Sequence, residues 1–551
     1  MRFKDNIHSA RLTARLTARL LTVAVIGLLC FVCQWQSAHP WYDRAFAQVL
    51  QPTVSGQDSA LQYQYLPLVS NKRSAVATAT PTPTTVPTVT PTPTTAPEAT
   101  TVALFLEDAW RTSSAALKQD SNGGLHVGYY YYEGQHDGAP NYAVYAYCPA
   151  DCGDPSHWAK VNLAEDRDVL EVQLALTSSG HPRLLIRADS TVYPGGKDYL
   201  YAACDQNCAS QAGWQVGYVL SSDGTDIFDV YDDDAPQRSF TLDPQDRPRF
   251  LYQDRNYLHA EPDIYGHYYV TCDSNCTGGT PENPIWQRTR ITEEFSEDFR
   301  FEYEILDYPS LTFTKAGGPR VLGVLYPTSH SATPEGLYYF GCDTNCDQRE
   351  NWHRVYLLDR GSGTAVSWDL ALDSQDRPRL ALYRGTGTFE AEKVLYLWCN
   401  ENCLDQATKD DHWEFNDPGV EVTNGRHPDL VLNGRQQPRI AYVDQLTGGL
   451  GYAWCTADCE SDNATWHHQT VEDANVLQAD WPVALPVSCL DGLWHGLTPV
   501  LALDSSEHAT VAYDTTYHAQ CLYDDPSDGE PPFTAFHEIV RAVRAVGFQL
   551  P

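Results

Sequence analysis

The sequence has few basic residues and almost no methionine. Lysine and arginine together number 37 against 72 aspartates and glutamates, and Met1 is the single methionine among 551 residues. From residue 101 onward, 29 basic residues face 68 acidic ones. A surface this acidic repels nucleic acid and anionic lipid, and it attracts cations or basic partners. The composition therefore excludes nucleic-acid binding.

Familiar catalytic motifs are also missing. The chain contains no nucleophile elbow, no zinc-protease helix, no phosphate-binding loop and no twelve-residue EF-hand loop. Apart from one N-terminal stretch, the apolar residues occur as short β-branched and aromatic runs between turn residues. This pattern is typical of an all-β protein.

The N-terminal 47 residues have the pattern of a targeting segment. Basic residues precede an apolar stretch at residues 20–33, which is shorter than the roughly 20 residues that span a bilayer. Residues 1–47 are predicted to be a signal peptide, with an uncleaved membrane anchor as the alternative. We expect the protein outside the cell or at the cell surface, touching the membrane only through this segment.

Residues 48–100 are predicted to be a disordered linker. Their second half reads ATATPTPTTVPTVTPTPTTAPEAT at residues 77–100 and has too few apolar side chains to fold. The folded domain is predicted over residues 101–551.

A cysteine motif, the clip, recurs six times in this domain. CDTNCDQRENW at residues 342–352 encloses three residues between two cysteines and places a tryptophan six positions after the second, and CDQNCASQAGW at residues 204–214 repeats it. Successive clips start 56 to 70 residues apart. The tryptophan is predicted to cap the edge of each repeat. The six pairs are Cys148 with Cys152, Cys204 with Cys208, Cys272 with Cys276, Cys342 with Cys346, Cys399 with Cys403, and Cys455 with Cys459.

A second motif runs in phase with the clips and occurs seven times. Its clearest copies are LDPQDRPRFLYQD from Leu242 and LDSQDRPRLALYRG from Leu372. Each copy divides into four antiparallel strands, with the clip between the third and the fourth. Repeats of this length and content indicate a seven-bladed β-propeller. Pairing of residues 101–110 with residues 537–548 is predicted to close the ring and leave no exposed edge.

The Leu-Asp-x-x-Gly/Asp-x-Pro-Arg repeat resembles that of secreted bacterial propellers in the broad sialidase-like and lectin-like group, over roughly residues 101–551. The resemblance implies the architecture but not an activity, because propellers host many functions. Two sialidase features are absent from the sequence: the Asp boxes, and three arginines that could clamp a carboxylate.

The clips are predicted to be disulfides. Export places them where disulfides persist, and residues four apart in a tight turn meet the required Cα separation. Zinc is the alternative, because His353, His412 and His467 lie near three of the clips, but a nearby histidine is not repeated in every copy. We expect no metal site at the clips. The remaining cysteines, Cys489 and Cys521, are predicted to pair with each other.

Ligand binding is predicted on the face that carries the connections between blades and the loops after the second strand. These loops vary in length, charge and aromatic content, whereas the clips and turns of the opposite face repeat. Two interpretations of their carboxylates stay open: they hold calcium or a basic partner, or they form a solvated acidic rim. Apart from calcium, no cofactor is expected. The predicted ligand-binding residues are Asp226, Asp229, Asp232, Asp233, Tyr257, His259 and Glu297.

Five arginines recur at equivalent positions of the Pro-Arg strand. Repetition favours a structural partner, the turn aspartate of the same or the adjacent blade, over an anion site. These residues are Arg183, Arg249, Arg320, Arg379 and Arg439.

The preferred functional prediction is a monomeric, non-enzymatic module that recognises a glycan or a protein. The alternative is a carbohydrate-active enzyme, either a sialidase-like glycoside hydrolase or a lyase. Two carboxylates that converge with an arginine or a tyrosine near the central channel would favour the enzyme.

Overall fold

The computed structural model describes residues 101–549 apart from short segments, so the predicted leader and linker lie outside the described residues. The described residues form strands and turns, with one four-residue α-helix at Lys409–His412 and short 3-10 helices at Pro155–His157, Gln211–Gly213 and Arg349–Asn351. None of their helices is long and apolar enough to cross a membrane. The segments left undescribed after residue 100 are 110–111, 133–140, 165–166, 192–195, 223–237, 255–265, 293–304, 327–332, 360–364, 385–392, 420–424, 445–448, 474–488, 490–492, 497, 524–532 and 550–551.

Seven antiparallel sheets form a seven-bladed β-propeller, as the repeat predicts. Blades one to six each contain four strands in sequence order, and blade seven joins the two ends of the domain. The strands are β1 (Thr101–Ala109); in blade one β2 (Thr112–Gln119), β3 (Leu125–Tyr132), β4 (Asn141–Cys148) and β5 (Ala159–Leu163); in blade two β6 (Val169–Leu176), β7 (Pro182–Asp189), β8 (Lys197–Cys204) and β9 (Trp214–Ser222); in blade three β10 (Phe240–Leu242), β11 (Pro248–Asp254), β12 (Gly266–Thr271) and β13 (Gln287–Arg290); in blade four β14 (Ile305–Phe313), β15 (Pro319–Tyr326), β16 (Gly336–Gly341) and β17 (His353–Asp359); in blade five β18 (Ala365–Leu372), β19 (Pro378–Arg384), β20 (Lys393–Cys399) and β21 (Trp413–Asn416); in blade six β22 (Gly425–Leu432), β23 (Pro438–Asp444), β24 (Gly449–Ala457) and β25 (Thr465–Glu472); and in blade seven β26 (Leu493–Gly496), β27 (Val500–Leu503), β28 (His508–Tyr523) and β29 (Phe533–Gln549).

The ring closes within blade seven, and the predicted pairing is confirmed. Strand β1 pairs antiparallel with β29, from Thr101 opposite Phe548 to Ala109 opposite Arg541. Strand β29 also pairs with β28, so the first and the last strand of the domain share one sheet. The two chain ends therefore complete the same blade, and β1 covers the edge that β29 would otherwise leave unpaired.

The turn after each innermost strand is fixed by its first polar residue. Asp243 Oδ1 accepts hydrogen bonds from the N–H groups of Gln245 (2.9 Å) and Arg247 (3.0 Å). Asp373 does the same in blade five. Further along the first turn, Asp246 adopts a left-handed conformation with φ 60°, which aspartate tolerates better than most residues. The Leu-Asp motif is therefore a turn signal.

The recurring arginines have structural partners, as predicted, but the predicted turn aspartate is a partner of Arg249 and Arg379, whereas Arg183 and Arg320 pair with aspartates in the clips. In blade three Arg249 pairs with the turn residue Asp243 at 2.9 Å and with Asp273 in the clip at 2.7 Å. In blade six Arg439 reaches Glu507 of the next blade at 2.8 Å. All five share one partner that the sequence did not indicate, the carbonyl of the first clip cysteine. The arginines therefore hold the clip against the second strand.

All six clips are disulfides, with Cα atoms 5.7 to 5.8 Å apart. In each clip the Asn or Asp before the second cysteine has a φ between 52° and 58°, a conformation that these short polar side chains support. A seventh disulfide joins Cys489 to Cys521. The prediction of disulfides is therefore confirmed for all fourteen cysteines. The six clip bonds join Cys148 to Cys152, Cys204 to Cys208, Cys272 to Cys276, Cys342 to Cys346, Cys399 to Cys403, and Cys455 to Cys459.

The clip tryptophans stand at the start of the outermost strand of each blade and pack against the preceding blade, a contact that the predicted edge cap did not include. The Trp352 Nε1–H donates to the carbonyl of Cys346 at 3.0 Å, and its ring meets the edge of Tyr269 from the preceding blade with centroids 5.3 Å apart. The sequence signal for this contact is a tyrosine three residues before the first cysteine in all six clips. The other pairs are Tyr145 with Trp214, Tyr201 with Trp286, Tyr339 with Trp413, Tyr396 with Trp466 and, at the closing strand, Tyr452 with Phe548.

Replacing Trp214 with leucine is expected to lower the free energy of unfolding by about 2–4 kcal/mol. The change removes the ring contact with Tyr145, at 4.9 Å, and the hydrogen bond to the Cys208 carbonyl. Urea denaturation measures the loss. The control is Phe415→Leu, because that side chain is 62 % exposed and its replacement should change stability by less than about 0.5 kcal/mol. Equal losses in the two variants would contradict the inter-blade role.

Candidate functional site

The ligand-binding residues predicted from the sequence lie outside the described residues. Asp226, Asp229, Asp232 and Asp233 fall in segment 223–237, Tyr257 and His259 in segment 255–265, and Glu297 in segment 293–304. Among the described residues, the candidate site is the central channel.

The innermost strands of all seven blades line a central cavity of about 210 Å³. Its lining includes the charged side chains of Lys118, Arg238, Asp369 and Asp429. These residues belong to four different blades. The radial arrangement of the blades therefore brings together groups that are up to 311 positions apart in the sequence.

Arg238 connects blade three with three other blades at the channel. One terminal guanidinium nitrogen donates to the carbonyls of Trp368 in blade five, at 2.9 Å, and Pro428 in blade six, at 3.0 Å. The other donates to the carbonyl of Pro499, just before the β27 strand of blade seven, at 3.4 Å. A planar guanidinium can serve several fixed acceptors at once. The Arg238 side chain is thus held in one position at the channel.

The same guanidinium lies between two carboxylates. Its terminal nitrogen is 2.8 Å from Asp429 Oδ1, and its Nε is 3.6 Å from Asp369 Oδ1. Both carboxylate side chains are only 8 % exposed. The Ser310 hydroxyl donates to Asp369 Oδ1 at 3.1 Å. Two carboxylates and an arginine therefore converge at the central channel.

The carboxylates are oriented by the strand of the following blade. Asp369 Oδ2 accepts the Leu430 N–H at 2.8 Å, and Asp429 Oδ2 accepts the Leu501 N–H at 2.6 Å. Gln173 makes the equivalent bond to the Phe240 N–H at 2.7 Å. One oxygen of each carboxylate is thus fixed to the scaffold, which preorganises the pair.

Burial raises the pKa of Asp429 to about 6. The Arg238 guanidinium opposes this change because it favours the carboxylate form, whereas the negative charge of Asp369 adds to it. A carboxyl group with a pKa near neutrality can donate a proton at physiological pH, as general acid catalysis requires.

The raised pKa of Asp429 makes stability depend on pH. The folded protein binds this proton more tightly than the unfolded chain, whose pKa is 3.8. The contribution to stability is therefore fully present below pH 3.8 and is lost as the pH rises through about 6. We expect the free energy of unfolding, measured by urea denaturation between pH 4 and pH 7, to fall more in the wild type than in Asp429→Asn. Parallel pH profiles would contradict the assignment.

Sequence reasoning placed binding in the variable loops and missed the channel. One signal was available: Asp369 and Asp429 each stand four residues before the turn residue, where the other blades carry neutral residues. Nothing comparable identified Arg238, which is not part of the repeat. Within the described residues, no three His, Cys, Asp or Glu side chains are grouped so that they could hold a metal ion.

No protein-family model and no curated protein matches the sequence. Solved structures match in fold. An α-L-arabinofuranosidase from Fusarium graminearum aligns with 68 % of this chain and 98 % of its own at 11 % identity and a TM-score of 0.37. A xylan β-1,4-xylosidase from Bacillus halodurans aligns with 81 % and 98 % at 10 % identity and a TM-score of 0.30. A Dyadobacter fermentans protein of unknown function aligns with 82 % and 98 % at 11 % identity and a TM-score of 0.37. These values describe a likeness of fold alone.

The preferred sequence-based prediction, a non-enzymatic recognition module, is wrong. In this chain two carboxylates and an arginine converge at the channel, which is the arrangement expected of the alternative, a carbohydrate-active enzyme. The sialidase-like resemblance has no support from protein families.

Proposed function

We propose that the protein is a carbohydrate-active enzyme that hydrolyses a glycosidic bond at the central cavity. Asp429 acts as the general acid and Asp369 as the base or nucleophile. The observation that carries the proposal is the convergence of these carboxylates on Arg238 in one cavity. Glycoside hydrolysis requires two such groups, because one protonates the leaving oxygen while the other acts at the anomeric carbon directly or through water.

The spacing of the two carboxylates suits this chemistry. Both contact one guanidinium, at 2.8 and 3.6 Å. Their facing oxygens are therefore at most about 9 Å apart, which does not exceed the upper limit of about 9.5 Å found in inverting hydrolases. Each carboxylate keeps one oxygen on a backbone N–H of the next blade, so a substrate meets groups already in position.

The division of roles follows from protonation. Asp429, with its pKa raised to about 6 by burial, can hold the proton that the leaving group needs. The sugar becomes cationic in the transition state, and the negative charge of Asp369 stabilises it. The guanidinium of Arg238 lies beside Asp369 and holds it in place. Activity should accordingly fall as the pH rises above about 6, because Asp429 then loses its proton.

The test is a panel of chromogenic glycosides with the purified full chain. We expect hydrolysis of at least one glycoside, and a drop in kcat of about a hundredfold or more in Asp429→Asn and in Asp369→Asn. The control is Asp410→Asn, because its side chain is 87 % exposed and away from the cavity. Circular dichroism and urea denaturation verify that each variant is folded. Full activity in a folded Asp429→Asn variant would refute the role of this residue, and a folded wild type inactive on the whole panel would refute the proposal.

We propose that the enzyme acts on glycans outside the cell or at the cell surface, as a monomer, and that its N-terminal segment provides export or anchoring. The seven disulfides support an oxidising compartment. Cell fractionation followed by N-terminal sequencing tests this part of the proposal. Full-length protein in the cytoplasm with free thiols would contradict it.

A further inference from the structure

We infer that the cavity takes a terminal sugar that bears a carboxylate, and that Lys118 binds this carboxylate together with the hydroxyls of Thr241 and Thr312. The inference rests on the proposed function, since it specifies the substrate of the same cavity.

Lys118 occupies a repeat position that carries a smaller, uncharged residue in the other blades. Two residues before the turn residue, the innermost strands of the other blades carry alanine, threonine or valine. Ala175 and Ala502 at this position are buried in the cores between blades, with 4 % and 9 % exposure. A small side chain is therefore enough for packing, whereas Lys118 is exposed. Packing therefore does not require a lysine at this position.

The polar side chains at this level of the cavity are available to a ligand. Lys118, Thr241 and Thr312 all line the cavity. Among the residues that the structure describes, none of the three side chains has a hydrogen-bond or ion-pair partner. A cation and two hydroxyls supply the donors that a carboxylate accepts.

The Lys118 ammonium lines the same cavity as the carboxylate pair. Its charge contributes to lowering the pKa of Asp429, against the larger effect of burial. When Asp429 carries its proton, the cavity holds the positive charges of Lys118 and Arg238 and the negative charge of Asp369. Its net charge is then +1. An anionic sugar neutralises that charge, and a neutral sugar does not.

The size of the cavity limits how much of a glycan enters. Its volume of about 210 Å³ is below the range of about 300–1,000 Å³ for pockets that hold drug-sized ligands. One sugar ring fits this space, so the enzyme is expected to act at a chain end. Uronic acids and sialic acids share the carboxylate chemistry, and the substrate panel separates them.

Binding of free sugars tests the inference without relying on turnover. We expect calorimetry on the full chain to show glucuronate or galacturonate binding tighter than glucose or galactose, and Lys118→Met to weaken acid-sugar binding about 10- to 100-fold. Lys315→Met is the matched control, because it removes the same charge from an exposed turn outside the cavity lining. Equal affinity for acidic and neutral sugars, or unchanged acid-sugar binding in Lys118→Met, would overturn the inference.

Turnover separates this inference from the proposed function. With aryl glucuronides, galacturonides and sialosides, Lys118→Met should raise KM about 10- to 100-fold while kcat changes little. Hydrolysis of neutral glycosides alone, unaffected by Lys118→Met, would leave the proposed hydrolase and overturn the acidic substrate. Lys118-dependent binding of an acid sugar with no hydrolysis of any glycoside would keep the binding site and refute the hydrolase.

Discussion

Replacing Arg238 with methionine is expected to lower the free energy of unfolding by about 3–5 kcal/mol. The change leaves the buried carboxylates of Asp369 and Asp429 without their cation. It also leaves the carbonyls of Trp368 and Pro428 without the donor that contacts them at 2.9 and 3.0 Å. Methionine keeps most of the apolar stem, so the loss reports the guanidinium.

Urea denaturation at pH 7 measures this effect, and Arg435→Met is the control. Arg435 is exposed on the first turn of blade six, and its replacement should change stability by less than about 0.5 kcal/mol. The loss in Arg238→Met should be smaller at pH 5, because Asp429 can then bind a proton and become neutral. A similar small change in the two variants would show that the channel contacts of Arg238 contribute nothing to stability.

A chain that starts at residue 110, and so lacks β1, is expected to lose the cooperative unfolding transition of the closed ring. Strand β1 covers the edge of β29 from Thr101 to Ala109. It also carries Phe105, whose ring lies 4.7 Å from that of Trp158, and Leu104, whose carbonyl accepts the Trp158 Nε1–H at 2.9 Å. Without β1, the edge of β29 is free to pair with other chains.

The matched control is a chain that starts at residue 101. It should unfold in one transition like the full chain and remain monomeric in size-exclusion chromatography, whereas the shorter chain should aggregate. Addition of a synthetic peptide of residues 101–109 should restore the transition, because the missing strand can pair in trans. A cooperative, monomeric chain 110–551 would show that closure by β1 is dispensable.

Much of the architecture could be predicted from local sequence patterns. The Leu-Asp turn, the Pro-Arg strand and the clip each act within one blade, so a repeat of them in the sequence predicts a repeat of blades. The clip disulfides follow in the same way, because their cysteines are four residues apart and the turn between them fixes the Cα separation. The arginines at positions such as Arg249 were correctly assigned to structure, since a group that recurs in every blade serves the blade.

The contacts between blades were less accessible from the sequence. The tyrosine three residues before each clip recurs as regularly as the tryptophan, yet nothing local shows that it meets the tryptophan of the next blade, as Tyr269 meets Trp352. Packing across a blade interface depends on the spacing of two sheets, and the strand pattern within one sheet does not encode that distance.

By itself, the sequence determined a disulfide-clipped, seven-bladed propeller with paired ends, because each of those features arises from residues close together or from an obvious repeat. Only the tertiary structure decided where the candidate site lies. Arg238, Asp369 and Asp429 lie in three blades and are separated by 131 and 60 positions. They meet because the innermost strands of all blades converge on one axis, and their burial there raises the pKa of Asp429 and makes the group suited to acid catalysis.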